Sequence, residues 1–169
     1  MNVRSAVFGI LAVLVTASCT ERPTVFDAEA AYFQSPDSFR ALEALIASAP
    51  EGNFRSPANF DNQRLAALDR SFEALQAKVS SVDLVLFQKV EGTDRIMVDI
   101  DSAEFGGTQT YVALHFARGR PTMSASTQAS EVFDQCDYRI SNFLKAHTDE
   151  WVEAWCRIQG NWYAFVFQY

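Results

Sequence analysis

Hydrophobic positions along this chain recur with two different periods, and the change of period divides it. Ser35 is placed to cap a helix, with Pro36 at the first helical position and Asp37 against the positive end. Phe39, Leu42, Leu45 and Ile46 then share one face, and Pro50-Glu51-Gly52-Asn53 stops the helix. A second helix is expected near 59–80. There Leu65, Leu68, Phe72, Leu75 and Val79 recur at steps of three and four, opposite Arg64, Asp69, Arg70, Glu73 and Lys78. A short helix over Thr24–Phe33 precedes both, behind the polar stretch Thr20-Glu21-Arg22-Pro23.

After Ser81 the period becomes two. Val82–Val90 is rich in β-branched and aromatic residues, and Glu91-Gly92-Thr93-Asp94 has the composition of a hairpin turn. Arg95–Asp101 alternates Ile96, Val98 and Ile100 with Arg95, Met97 and Asp99. Gly106-Gly107 breaks the chain, and Thr108–Ala117 gives a third strand with Tyr111, Ala113, His115 and Ala117 on one side. Sequential strands with short connections predict an antiparallel meander.

The stretch 130–147 has two readings. As a helix capped by Ser130, it lines Val132, Phe133, Cys136, Ile140, Phe143, Leu144 and His147 along one stripe. As a hairpin arm it alternates Tyr138, Ile140, Asn142 and Leu144 less cleanly, so periodicity favours the helix. Trp151–Ile158 and Asn161–Gln168 then form a hairpin around Gln159-Gly160. The expected fold is α+β over residues 35–169: an antiparallel sheet of about five strands packed by helices, in the order α-α-β-β-β-α-β-β.

The N-terminus carries an address. Met1–Ser5 hold one charge, Arg4, and Ala6–Val15 are apolar except for Gly9, which is the pattern of a secretory signal. The run falls short of the about 20 apolar residues that a spanning helix needs. Val15-Thr16-Ala17-Ser18-Cys19 resembles the lipobox of bacterial lipoproteins. The resemblance implies that residues 1–18 are a signal peptide, that Cys19 is lipidated as the new N-terminus, and that residues 19–34 are a lipidated tether with a short helix. Thr20 after the Cys, where Asp would imply retention in the inner membrane, implies the outer membrane and a periplasmic-facing domain. Acyl chains anchor at about 0.8 kcal/mol per buried CH₂, so several on one Cys act together. Losing residues 1–18 removes Arg4 alone among the charges, so attachment rests on lipid and not on a basic surface.

Export also sorts the cysteines. With Cys19 consumed, Cys136 and Cys156 remain as an even pair in an oxidising compartment and are expected to form a disulfide. No C-x-x-C spacing suggests a redox role.

Charge and chemistry narrow the function. Asp and Glu number 21 against 14 Lys and Arg, a net charge of −7, which argues against nucleic acid as a partner. Two His and three Cys leave few ligands for a transition metal, and no cofactor is expected. The sequence has no G-x-S-x-G elbow, S-x-x-K, phosphate-cradling loop or H-E-x-x-H, and no catalytic residue is assigned. His115 and His147 both fall on apolar faces, where packing is the commoner role. Asp99, Asp101 and Glu104 supply oxygens suited to Ca²⁺, but without EF-hand spacing they read as a solvated strand end. Arg118-Gly119-Arg120-Pro121 is a local basic cluster that either holds an acidic ligand or solvates a loop, and the loop reading is preferred.

The aromatic pattern is the most suggestive. Val152, Ala154, Cys156 and Ile158 form one face of their strand, and Trp151, Glu153, Trp155 and Arg157 form the other. The last strand is apolar on both faces, through Trp162, Ala164 and Val166 and through Tyr163, Phe165 and Phe167, so it needs cover on both. Trp151, Trp155 and Arg157 are therefore either core beneath helices or a contact surface. The reading that follows is a non-catalytic, lipid-anchored module binding an envelope protein. The alternative is a small-ligand pocket similar to cystatin-like or nuclear-transport-factor-like folds; a carboxylate-dependent envelope hydrolase is a weaker third.

Overall fold

Local chemistry sets each end of the first two helices. Thr24 precedes α1 (Val25–Gln34), and its backbone N–H donates to the Asp27 carboxylate at 2.6 Å. Ser35 ends α1 and opens α2 (Pro36–Ser48), with Pro36 where a missing N–H is harmless. Gly52 follows with φ +144, and a Cβ there would lie 2.9 Å from the Gln63 side chain. The residues that stop α2 thus also begin a strand, β1 (Gly52–Ser56).

The chain continues through α3 (Ala66–Gln76), β2 (Leu84–Val90), β3 (Thr93–Phe105), β4 (Thr108–Ala117), β5 (Ala129–Phe133), α4 (Tyr138–Ala146), β6 (Val152–Gln159) and β7 (Trp162–Gln168). The computed structural model describes residues 23–59, 62–90, 93–105, 108–121, 123–148 and 150–169. The signal and lipobox residues, Gly92 and Gly106-Gly107 lie outside the described residues.

The fold is α+β, with one seven-stranded sheet in the order β1-β2-β3-β4-β7-β6-β5. Neighbours are antiparallel except β5 and β6, which run parallel. This corrects the expected sheet of about five antiparallel strands, and the order is α-α-β-α-β-β-β-β-α-β-β. The meander β2-β3-β4 and the β6–β7 hairpin follow the sequence pattern. Two short strands were hidden, β1 behind a helix stop and β5 inside the stretch read as a helix. That stretch divides: Ser130 sits within β5, and α4 begins only after Asp137, whose carboxylate accepts the Arg139 N–H at 2.9 Å. The helix expected near 59–80 is the shorter α3.

Three helices cover one face of the sheet. Val25, Ala28, Ala31 and Tyr32 of α1, Phe39, Leu42 and Ile46 of α2, and Leu68, Phe72 and Leu75 of α3 are buried there. Phe87, Ile96, Val98, Leu114, Trp162 and Val166 meet them from the strands. Trp162 is the hub: its ring lies 5.2 Å from Phe39, edge-on, and its indole N–H donates to Glu43. Each such fully buried large side chain contributes about 1.5–3 kcal/mol of transfer free energy. At the far end α4 is the crossover that parallel β5 and β6 require. Phe143 of α4 packs on Phe133 of β5, with ring centroids 5.9 Å apart. The disulfide between Cys136 and Cys156, with Cα atoms 5.0 Å apart, ties that crossover to β6.

Among the described residues the opposite face carries no helix. The β4-to-β5 connection, residues 118–128, must pass β7 and β6 to reach the sheet edge, and it does so across this face. Tyr163 donates its hydroxyl to the Gly119 carbonyl at 3.1 Å, and the Ser124 N–H donates to Glu153 at 2.9 Å. Further along, the Trp151 N–H donates to the Gln128 side chain at 2.8 Å. The segment is a strap over β7 and β6, and it leaves β2, β3 and β4 open beside it.

Candidate functional site

Strand register decides which side chains meet on the strapped face. Paired positions in order across the sheet are Arg55, Leu86, Met97, His115, Tyr163 and Arg157. The next row runs Leu84, Asp99, Ala113, Phe165, Trp155 and Val132. Ala117 lies opposite Arg95, so β4 presents small residues between the long side chains of β3 and the aromatic rings of β7 and β6. Where the strap stands off the sheet, a groove of about 470 Å³ opens, lined chiefly by Leu86, Met97, His115, Trp155, Pro121 and Met123. That volume lies within the range of ligand sites, about 300–1,000 Å³.

His115 sits at the floor. Its ring meets Trp155 at 4.8 Å and Phe165 at 5.0 Å, both edge-on. Its Nε2 is shut off from solvent and has no hydrogen-bond partner among the described residues. Burial, reinforced by the positive charge of Arg95, pushes its pKa down to about 3, so the imidazole is neutral at physiological pH. A general base near neutrality needs a pKa close to 7, and this one is far below it.

Glu153 is buried beside it, 3% exposed. One of its oxygens accepts both the Ser124 N–H and, at 3.3 Å, the Trp155 indole N–H. The carboxylate therefore fixes the strap to β6 and orients the Trp155 ring into the groove. On the same face, Asp99 is raised to about 6 by burial first and by the Asp83 charge second, while hydrogen bonding from Tyr111 works against the rise. The Tyr111 hydroxyl also lies 3.4 Å from the Met97 sulfur.

The three residues suggested by the aromatic pattern share this face but not one site. Trp155, 7% exposed, lines the groove. Trp151, 52% exposed, stands at the end of β6 against Phe167 and Tyr169. Arg157 donates to the Tyr163 hydroxyl at 2.9 Å, lies over its ring, and borders a separate hollow with Arg120 and Asp134. Of the basic cluster, Arg118 pairs with Asp94 at 2.9 Å and Pro121 walls the groove.

The carboxylates of the strand-end motif separate. A bulge between Asp99 and Asp101 turns Asp101 to the helix side, where it borders a hollow with Asp27 and Gln34 of α1. Among the described residues no three His, Cys, Asp or Glu side chains come together as a metal site. His147 closes α4, its Nδ1 2.8 Å from the Phe143 carbonyl. Sequence reasoning missed Leu86, Met97, Pro121 and Met123 as lining residues. The alternation that set Met97 with Arg95 and Asp99 was the available signal; the strap had none. Comparison with known protein families, curated proteins and solved structures finds no match to this chain.

Proposed function

We propose that this chain is a non-catalytic binding protein of the bacterial cell envelope whose strapped groove takes a small, mainly apolar ligand. The observation that carries this reading is His115 in the groove: a shielded, unpartnered Nε2 set among Trp155, Phe165 and Met97. A buried polar atom without a partner costs about 1–3 kcal/mol, and a small turn of the ring toward the groove would let a ligand's polar group recover it. Apolar walls with a few placed polar atoms are the usual make-up of small-molecule sites. Envelope placement is supported by the lipobox-like run ending at Cys19 and by the Cys136–Cys156 disulfide, since such bonds persist in oxidising compartments. Anchorage through lipid on Cys19 would hold the domain at the outer membrane, facing the periplasm.

A second reading, contact with an envelope protein, is favoured by the exposed cluster of Trp151 and Tyr169 around Phe167. Such rings are the commonest anchors of protein interfaces.

Native mass spectrometry of the full chain separates the two. Ala117→Trp fills the groove mouth from β4 and should remove a small-molecule adduct, whereas Trp151→Ala should leave it. An adduct that survives Ala117→Trp would rule out the groove. In the same preparations Cys19→Ser should move the chain from the membrane to the soluble fraction; retention on the membrane would contradict the lipid anchor.

A further inference from the structure

We infer that the groove ligand is a single-chain amphiphile with an anionic head, its apolar body lying on Leu86, Met97, Met123 and Trp155 and its head held at Arg95. This rests on the groove reading above and adds the class of ligand. Among the described residues the groove has two ionisable acid or base side chains besides His115 in its lining, Arg95 and Glu153. Glu153 is already engaged by the Ser124 N–H and the Trp155 indole. Arg95 is exposed and makes no hydrogen bond or ion pair among the described residues.

Register explains why Arg95 is free to act on a ligand. It faces Ala117 on β4, which is too short to cover it, and Gln88 on β2, which offers an amide beside it. The neighbouring cation, Arg118, is satisfied by Asp94. The charged side chain left without a partner at the groove is thus a cation, Arg95. A guanidinium presents a fork of donors that matches carboxylate and phosphate oxygens two at a time. His115 lines the same groove two residues along β4 from Ala117, the partner of Arg95, and borders the ligand's apolar body. Carboxylate and phosphate monoester heads share this chemistry.

Isothermal titration of the full chain with decanoate, decyl phosphate and decanol, each below its micelle concentration, tests the class and distinguishes the two heads. Native protein should bind at least one anionic probe about tenfold or more tightly than decanol, as a charge-assisted hydrogen bond implies. Arg95→Gln should abolish that preference and leave decanol affinity within about twofold, while Arg118→Gln should change neither. Decanol binding as tightly as both anions, or Arg95→Gln weakening all three alike, would overturn the anionic head and leave the groove standing. No heat with any probe would sink both.

Discussion

Two titrating side chains on the strapped face have opposite effects on stability. His115 is neutral in the fold down to about pH 3, while in the unfolded chain it takes up a proton near 6.5. Between those values the unfolded state binds more protons, so His115 contributes stability that is present above 6.5 and lost as pH falls toward 3. Asp99 goes the other way. Raised from 3.8 to about 6, it binds its proton more tightly in the fold, so its contribution is present below 3.8 and is lost as pH rises through 6. At neutral pH its charge is a cost. Asp99→Asn should therefore stabilise near pH 7, by roughly 1 kcal/mol after solvent screening, and give no gain near pH 4. His115→Gln should flatten the acid side of the same curve. Urea unfolding midpoints across pH check both; an Asp99→Asn gain that persists near pH 4 would contradict the assignment. Alternation set Asp99 on the polar side of β3 and His115 on an apolar side of β4, and only the strand register brings the two onto one face. It could not reveal that Trp155 is sunk in the groove while Trp151, four residues earlier, is exposed. That difference comes from the strap, which covers one and not the other.

At the scale of elements, the legible parts were those with many periods to read. Thirteen residues of α2 and the long strands β3 and β4 carry their pattern unaided. The five-residue strands β1 and β5 do not, because five positions fit a helix stripe as readily as an alternation. Both are edge strands, formed by pairing with a longer neighbour rather than by their own sequence. The stretch 130–147 shows the mixture most plainly. Val132 and Phe133 belong to β5, Ile140 and Phe143 to α4, and their helical spacing across the break at Asp134–Asp137 is coincidental. The disulfide holds this composite together. It closes a separation of 20 residues between the crossover and the buried face of β6. Replacing both partners, Cys136→Ser with Cys156→Ala, should cost about 2–4 kcal/mol of stability. Denaturant unfolding of the full chain reads this directly. A loss well under 1 kcal/mol would mean that α4 is held by Phe133, Ile140 and Phe143 alone.

For the whole molecule, the division of labour between the two sheet faces is the central feature. Helices α1, α2 and α3 bury one face and supply the stability. Among the described residues the other is covered by a strap fixed through Tyr163, Glu153 and Trp151. The sequence signalled this asymmetry in β7, which is apolar on both sides and so demands two covers. It did not signal that the second cover is a loop, since nothing in residues 118–128 has a period. A domain with one dry face and one grooved face is suited to holding a ligand, and the proposed lipid anchor would keep it near the membrane.

The most direct test is to follow the backbone amide resonances of the full chain as decanoate or decyl phosphate is added. Saturable shifts should centre on Leu86, Met97, His115 and Trp155 and extend to Met123 in the strap and Arg95 at the mouth. Shifts confined to Trp151 and Tyr169, or spread over the helices with β2–β4 silent, would contradict binding in the groove.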